Sequence, residues 1–165
     1  MSLLELHRGT TVLEELAPLW LALFTHHQQI EPALDYQAPE LSWSLRRAEY
    51  KNWLTDPRAF VVLARDDVGR AVGYALTVVH DGPDDTWTVG DCGEVKTLSV
   101  APQARGRGLG TALLDAVDVE LERIGIADLQ IMAIAANRDA LRFYSRRGLT
   151  PRAVLLSRYR SAGQL

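Results

Sequence analysis

The chain has 165 residues, of which 47% are hydrophobic and 24% charged, and a formal net charge of −3 at pH 7. With a mean hydropathy of −0.06 this describes an ordinary globular chain, expected to form one domain over residues 1–165 with a sizeable core, and excludes a disordered one. The net negative charge argues against general nucleic-acid affinity, and the longest apolar run, around Leu16–Phe24, is too short for a membrane span and contains Pro18. Cys92 is the only cysteine, so no intrachain disulfide can form and no cysteine-based metal site is expected. No basic, then apolar, leader pattern opens the chain, and a cytoplasmic location is the expectation.

Taken in order, Leu3–His7 reads as a short strand. Thr11–His27 carries Leu13, Leu16, Trp20, Leu23 and Phe24 at helical spacing, with Thr10 or Thr11 as N-cap. Pro39 precedes a second helix, roughly Glu40–Leu54, closed by Asp56-Pro57. Ala59–Ala64 is a compact apolar strand, and the turn Asp66-Asp67-Val68-Gly69 leads to its hairpin partner, Ala71–His80. Residues 81–94 hold Asp81, Asp84, Asp85, Asp91 and Glu94 with no Lys or Arg, an acidic run suited to drawing in a cation. Strand material runs from Trp87 to Val100, broken near Asp91-Cys92-Gly93. Leu109, Ala112, Leu113, Ala116, Val117, Leu121 and Ile124 then mark one face of a helix stopped by Gly125. Asp128–Ala135 reads as a strand, Arg138–Arg147 as a helix ended by Gly148, and Ala153–Tyr159 as a last strand. The order implies an α/β or α+β protein, a mixed sheet with helices on both faces.

Within the fourth strand, Val95 and Leu98 have opposite parity, whereas Leu98 and Val100 share it. A bulge between Val95 and Leu98 would restore one apolar face and splay the strand from its neighbour. A strand buried on both faces would show the same pattern.

The stretch Gln103-Ala104-Arg105-Gly106-Arg107-Gly108-Leu109-Gly110 follows this strand and opens a helix. Glycines at alternate positions let the backbone turn tightly and bring N–H groups close to a ligand. The helix start adds orphan donors and the positive end of its dipole, which together favour a phosphate. A P-loop would need Gly-Lys-Ser/Thr at its end, and no Lys follows. The dinucleotide fingerprint would need Gly or Ala where Thr111 stands and an acid at the end of the next strand, and both are missing. A glycine turn that merely caps a helix stays open on these residues alone.

Gln103-x-x-Gly106-x-Gly108, between strand and helix, resembles the acyl-CoA signature of the GNAT superfamily of N-acetyltransferases. Asn137 through Tyr144 to Gly148-Leu149 resembles the second signature of that family, with Leu149 in place of the usual Phe, and Gly93–Val100 resembles its fourth strand. The match covers residues 93–149, while residues 1–60 agree only in layout. The resemblance implies the GNAT fold, α/β with a mixed central sheet splayed between strands four and five and helices on both faces. It also implies acetyl-CoA as co-substrate, held through Leu98, Val100, Gln103, Arg105, Gly106, Arg107, Gly108, Gly110, Thr111, Asn137 and Tyr144. The pyrophosphate would sit on backbone amides of Arg105, Gly106, Arg107, Gly108 and Gly110, and Leu98 and Val100 would offer backbone groups to the pantetheine arm. Asn137 would bond that arm, although as a residue just before a helix it is also a preferred N-cap.

Two residues receive catalytic roles from the resemblance. Tyr144 would act as general acid toward the departing thiolate, against the alternative of a core aromatic stacked on Phe143. Glu94 would face the acceptor channel and take a proton from the amine, against the alternative of a structural carboxylate paired with Lys96. His26 and His27 end the first helix near the acceptor region, where either could line the site or simply complement the helix dipole. Trp43 and Trp87 are aromatic candidates for the acceptor wall. No metal site is expected, because adjacent His do not share a helix face. Cys92, beside an acidic run, would have a raised thiol pKa and make a poor nucleophile, so direct attack is favoured over an acyl-enzyme.

The expected activity is transfer of an acetyl group to a primary amine, that of a small molecule. A peptide modifier, with a groove from residues 25–45 and 81–92, and a non-catalytic acyl-CoA sensor are the alternatives. No nucleic acid or membrane partner is expected, and the resemblance allows a homodimer.

Overall fold

A computed structural model describes residues 3–82, 85–86 and 90–158. Five strands form one sheet in sequential order: β1 (Leu3–His7), β2 (Phe60–Arg65), β3 (Ala71–His80), β4 (Cys92–Val100) and β5 (Asp128–Ile131). The first four run antiparallel, and β5 lies parallel to β4. Around the sheet stand α1 (Leu13–Ile30), α2 (Pro39–Trp53), α3 (Leu109–Arg123) and α4 (Arg138–Arg146).

The alternation along β3 shows which helix covers which face. A Cβ built on Gly73 would meet Leu113 at 3.2 Å, on α3, whereas the hydroxyl of the next residue, Tyr74, bonds Tyr50 of α2 at 2.9 Å. Helices therefore cover both faces. Leu13 and Leu16 of α1, Tyr50 of α2, Val61 to Leu63, and Leu113 and Leu114 of α3 are almost wholly buried, each such side chain contributing about 1.5–3 kcal/mol.

The expected bulge is present and has an owner. Leu76 pairs with Thr97 but Thr77 pairs with Val95, so Lys96 is the extra residue of β4. Val95 and Leu98 thereby share the α3 face with Gly73, while Lys96 joins Glu94 and Thr97 on the α2 face, as its contacts with Glu94 and Trp53 show. Pairing between β4 and β5 ends at Val95–Ile131, beside the bulge, and the two strands part.

Several expected boundaries move. The first helix begins at Leu13 with Val12 as its N-cap and no side-chain cap, so neither Thr10 nor Thr11 serves, and it runs on to Ile30. The strand expected over Asp128–Ala135 stops at Ile131, because β4 has turned away and offers no further ladder partner. No strand forms over residues 153–158, where Val154, Leu155 and Leu156 stand exposed with no neighbouring strand.

Candidate active site

The glycine loop is set by its two ends. Ala101 closes β4 with a bond to the Val72 carbonyl (2.8 Å), and a single 3₁₀ turn, Pro102–Ala104, follows. Gly106 and Gly108 then take φ values of +72° and +79°, a left-handed backbone that a side chain strains. A Cβ on either would meet nothing within 4 Å, so the demand for glycine is conformational and the approach to the backbone is open. Gly108 is the N-cap of α3, and the first helical bond outside it is Ala112 N–H to the Gly108 carbonyl (3.0 Å). The preceding amides of Leu109, Gly110 and Thr111 have no backbone acceptor among the described residues, leaving donors and dipole aimed at the loop.

The side chains there differ from expectation in two respects. The Arg105 N–H is taken by the Pro102 carbonyl (3.3 Å), and its Nε donates to the Val100 carbonyl (3.0 Å). Arg105 thus braces the loop, with its amide and one lone pair of the Val100 carbonyl engaged within the protein. Arg107 is exposed and borders a depression with Asp66 and Arg70, and Gln103 and Thr111 are exposed too. Leu98 and Val100 are half-buried on β4, beyond its last pair with β5.

Helix α4 is fastened to α3 at two points. Phe143 lies 3.5 Å from where a Cβ on Gly110 would stand, and Arg147 bridges Asp115 (2.6 Å) and Asp118 (3.0 Å). Asn137 caps α4, its Oδ1 accepting the Ala140 N–H at 3.1 Å. The capping alternative therefore holds for its oxygen, and its amide NH₂ has no partner among the described residues. Tyr144 packs on Phe143 with ring centroids 5.3 Å apart. Burial pushes its phenol up to about 12, and its hydroxyl bonds no described residue. A neutral donor without an acceptor suits an acceptor supplied by a ligand.

Glu94 is 8% exposed, and three neighbours converge on one of its oxygens. Oε2 is held by His80 Nε2, by Lys96 Nζ at 2.8 Å and by the Gln130 amide at 3.5 Å. Oε1 has no partner among the described residues. Burial alone would raise the carboxyl, but the hydrogen bonds from Lys96 and His80 outweigh it and hold it below the ordinary value. The structural pairing with Lys96 and an open oxygen thus coexist.

Across from β4, α2 and α1 present an aromatic group. The Arg46 guanidinium lies 4.3 Å from the Trp20 ring centroid and 5.7 Å from those of Tyr50 and Trp53. Lys96 Nζ sits 5.1 Å from the same Trp53 ring. Trp43, an expected wall residue, packs edge-on to Tyr50 at 6.3 Å. The Tyr50 hydroxyl ties this group to the sheet by bonds to Thr97 (2.6 Å) and Tyr74 (2.9 Å). Trp87 lies outside the described residues.

The histidines and the acidic run behave differently from what their positions suggest. His26 and His27 lie near the C-terminal end of α1, His27 in its last turn, and burial first, then nearby cations, lower both, which disfavours the charged form that a dipole partner needs. Asp81 and Asp91 are bridged by Arg58 (2.8 and 3.4 Å), which also binds Asp56. Two carboxylates of the run are thus engaged by one arginine from outside it. The Cys92 thiol is pushed up by burial, Asp128 and Glu94, as expected for a poor nucleophile. Among the described residues no group of three or more His, Cys, Asp or Glu could hold a metal ion, and no helix is long and apolar enough to cross a membrane.

The residues present fit a phosphorylated thioester cofactor: an open cradle of free amides, a parting of β4 from β5, and an unpartnered phenol on a helix tied to the cradle. Sequence reasoning missed Arg46, Trp53 and His80, which join the site only through tertiary contacts. A bulge between Val95 and Leu98 and a pairing of Glu94 with Lys96 were readable, though not that Lys96 is the extra residue.

Residues 19–149 match the profile of the acetyltransferase (GNAT) family. The mycothiol acetyltransferase of Propionibacterium freudenreichii subsp. shermanii is 30% identical over 138 residues, 84% of this chain and 40% of that protein. That of Pseudarthrobacter chlorophenolicus is 34% identical over 140 residues, 79% of this chain and 38% of that protein. The chain thus spans about two fifths of the length of these curated relatives. Among solved structures, a GCN5-related N-acetyltransferase from Ralstonia eutropha superposes with a TM-score of 0.75 at 20% identity, covering 96% of this chain and 99% of that one. The aminoglycoside N-acetyltransferase AAC(6')-Iy in complex with CoA superposes at 0.68 with 18% identity, covering 97% of each chain. Sheet, bulge, glycine loop and profile agree: this chain belongs to the acetyltransferase (GNAT) family.

Proposed function

We propose that the chain is an acetyl-CoA-dependent N-acetyltransferase acting by direct transfer on the amine of a small molecule. The observation that carries this reading is the Tyr144 phenol, which burial pushes further from ionisation and which bonds no described residue, on a helix fastened to the helix of the glycine loop. Family membership supports the donor, and the names of the mycothiol and aminoglycoside acetyltransferases support a small-molecule acceptor.

Acetyl-CoA supplies the acetyl group as a thioester. The amides at Gly106, Gly108 and the first turn of α3 would hold its diphosphate, and the Asn137 amide NH₂ remains available to its arm. In the reaction a C–N bond forms and the C–S bond breaks. Tyr144 donates a hydrogen bond to the sulfur as negative charge develops there. Complete transfer from a phenol near 12 to a thiolate with a conjugate acid near 8.5 is uphill by roughly 5 kcal/mol, so hydrogen-bond stabilisation is the economical role.

An alkylammonium must lose a proton before it attacks, and at pH 7 only about one molecule in a thousand or fewer has done so. Glu94 Oε1 would orient the amine and pass its proton to water. Because its neighbours keep Glu94 ionised, it performs this role throughout the neutral range.

The test is release of free thiol from acetyl-CoA with a panel of small amines. Release with an amine, together with acetylated product by mass spectrometry, supports the reading. Binding of acetyl-CoA with no release for any amine makes the chain a sensor instead.

A further inference from the structure

Lys96 has an odd position for an enzyme that takes a cationic amine. The bulge turns it onto the acceptor face beside Glu94, at the point where β4 and β5 part. Its Nζ is 2.8 Å from Glu94 Oε2 and 5.1 Å from the Trp53 ring, on which Arg46 also lies at 5.7 Å. Arg46 has one carboxylate partner, the exposed Glu49 at 3.2 Å, and its Nε is buried with no acceptor. Two carboxylates of the acidic run, Asp81 and Asp91, are engaged by Arg58 instead. A simple cationic amine at the open oxygen of Glu94 would thus meet Lys96 on the same carboxylate, with Arg46 against the same Trp53 ring as Lys96, and repulsion would offset part of its attraction.

An amine that also carries a carboxylate meets no such conflict. The pair Glu94–Lys96 is a fixed dipole with its ions adjacent, and the ammonium and carboxylate of an α-amino acid are spaced similarly, so the two can lie head to tail. Glu94 Oε1, without a partner, takes the ammonium, while Lys96, with N–H bonds to spare beyond Glu94, takes the carboxylate. Arg46, against the same Trp53 ring, adds positive potential. We propose that the acceptor is an amine bearing a carboxylate on the neighbouring carbon, an α-amino acid or a compound ending in one, and that Lys96 reads the carboxylate. This rests on the acetyltransferase reading with Glu94 at the acceptor.

The experiment compares matched pairs that differ only in the carboxylate: phenylalanine with phenethylamine, and methionine with 3-(methylthio)propylamine. Thiol release from acetyl-CoA gives kcat/KM for each, and calorimetry gives Kd in the presence of CoA. One charge-assisted hydrogen bond corresponds to a preference of about 10- to 100-fold for the carboxylated member. Lys96→Met is expected to bring that ratio close to one, and Lys96→Arg to restore most of it. A merely structural Lys96 would change both members alike and leave the ratio intact. Equal or better turnover of the carboxylate-free amines by the unaltered protein overturns the proposal and leaves the acetyltransferase reading standing. If no amine of either kind releases thiol while acetyl-CoA binds, both fall together.

Discussion

The proposed cofactor side and the proposed acceptor side of this molecule are built from different materials. The cofactor side is backbone: two glycines with positive φ, a helix start without a side-chain cap, and amides lacking acceptors, all within residues 101–111. The acceptor side is side chain: Arg46 and Trp53 from α2, His80 from β3, Glu94 and Lys96 from β4, brought together by folding. Backbone donors recognise a phosphate whatever the surrounding sequence, whereas a constellation of side chains can be rewritten one residue at a time. The first half therefore marks the family and the second decides the substrate.

Five measurements would break or sharpen that division, in order of expected size. On our reading Tyr144→Phe lowers kcat by about 10²–10³-fold, the usual cost of a lost donor at developing charge, while Kd for acetyl-CoA stays within about twofold. A large loss of affinity instead would move Tyr144 to the binding half. Glu94→Gln is expected to lower kcat/KM for the amine by about 10²-fold and to leave acetyl-CoA affinity unaltered. In the unaltered protein the rate should climb steadily from pH 6 to 8 with the fraction of free amine. Glu94, held below its ordinary value, adds no inflection there. An inflection in that window which disappears in Glu94→Gln would show that the neighbours do not keep it ionised.

Gly108→Val tests the other half. A β-branched residue at φ +79° costs about 1–3 kcal/mol of strain, so acetyl-CoA should bind roughly tenfold more weakly by calorimetry. An unchanged Kd would mean that the cradle lies elsewhere. The smallest effect concerns acid stability. A carboxyl lowered by folding contributes stability that is fully present above its unfolded value, near 4.5, and is lost as pH falls through the folded value. The gap in denaturation midpoint between pH 7 and pH 3 should thus narrow in Glu94→Gln, and an unchanged gap would show that His80 and Lys96 do not stabilise the charge.

What the sequence reveals follows the same division. Gly106 and Gly108 were legible because a loop between a strand and a helix is local, and the bulge was legible because Val95, Leu98 and Val100 carry it in their parity. Arg46 gave no such sign: on α2 it is one arginine among polar neighbours, and only the fold places it against Trp20. The acidic run misled for the same reason, since Arg58 lies more than twenty residues from Asp81 in the chain and balances it in space. Residues 153–158 misled in the opposite direction, because apolar alternation signals a strand only where a neighbour exists to pair with it.

Gly93 gives the two halves a mechanical connection. A Cβ there would stand 2.6 Å from Leu121, so α3 rests directly on the backbone of β4 one residue before Glu94. The opposite end of that same helix is the floor of the glycine loop. Fifteen residues at 1.5 Å each make α3 a strut of roughly 22 Å, seated on β4 at one end and opening onto the glycine loop, the proposed phosphate cradle, at the other. On the proposed reading, the spacing between the two halves is held by the length of one helix, and even an alanine methyl at Gly93 would have to displace the Leu121 side chain on which that helix is seated.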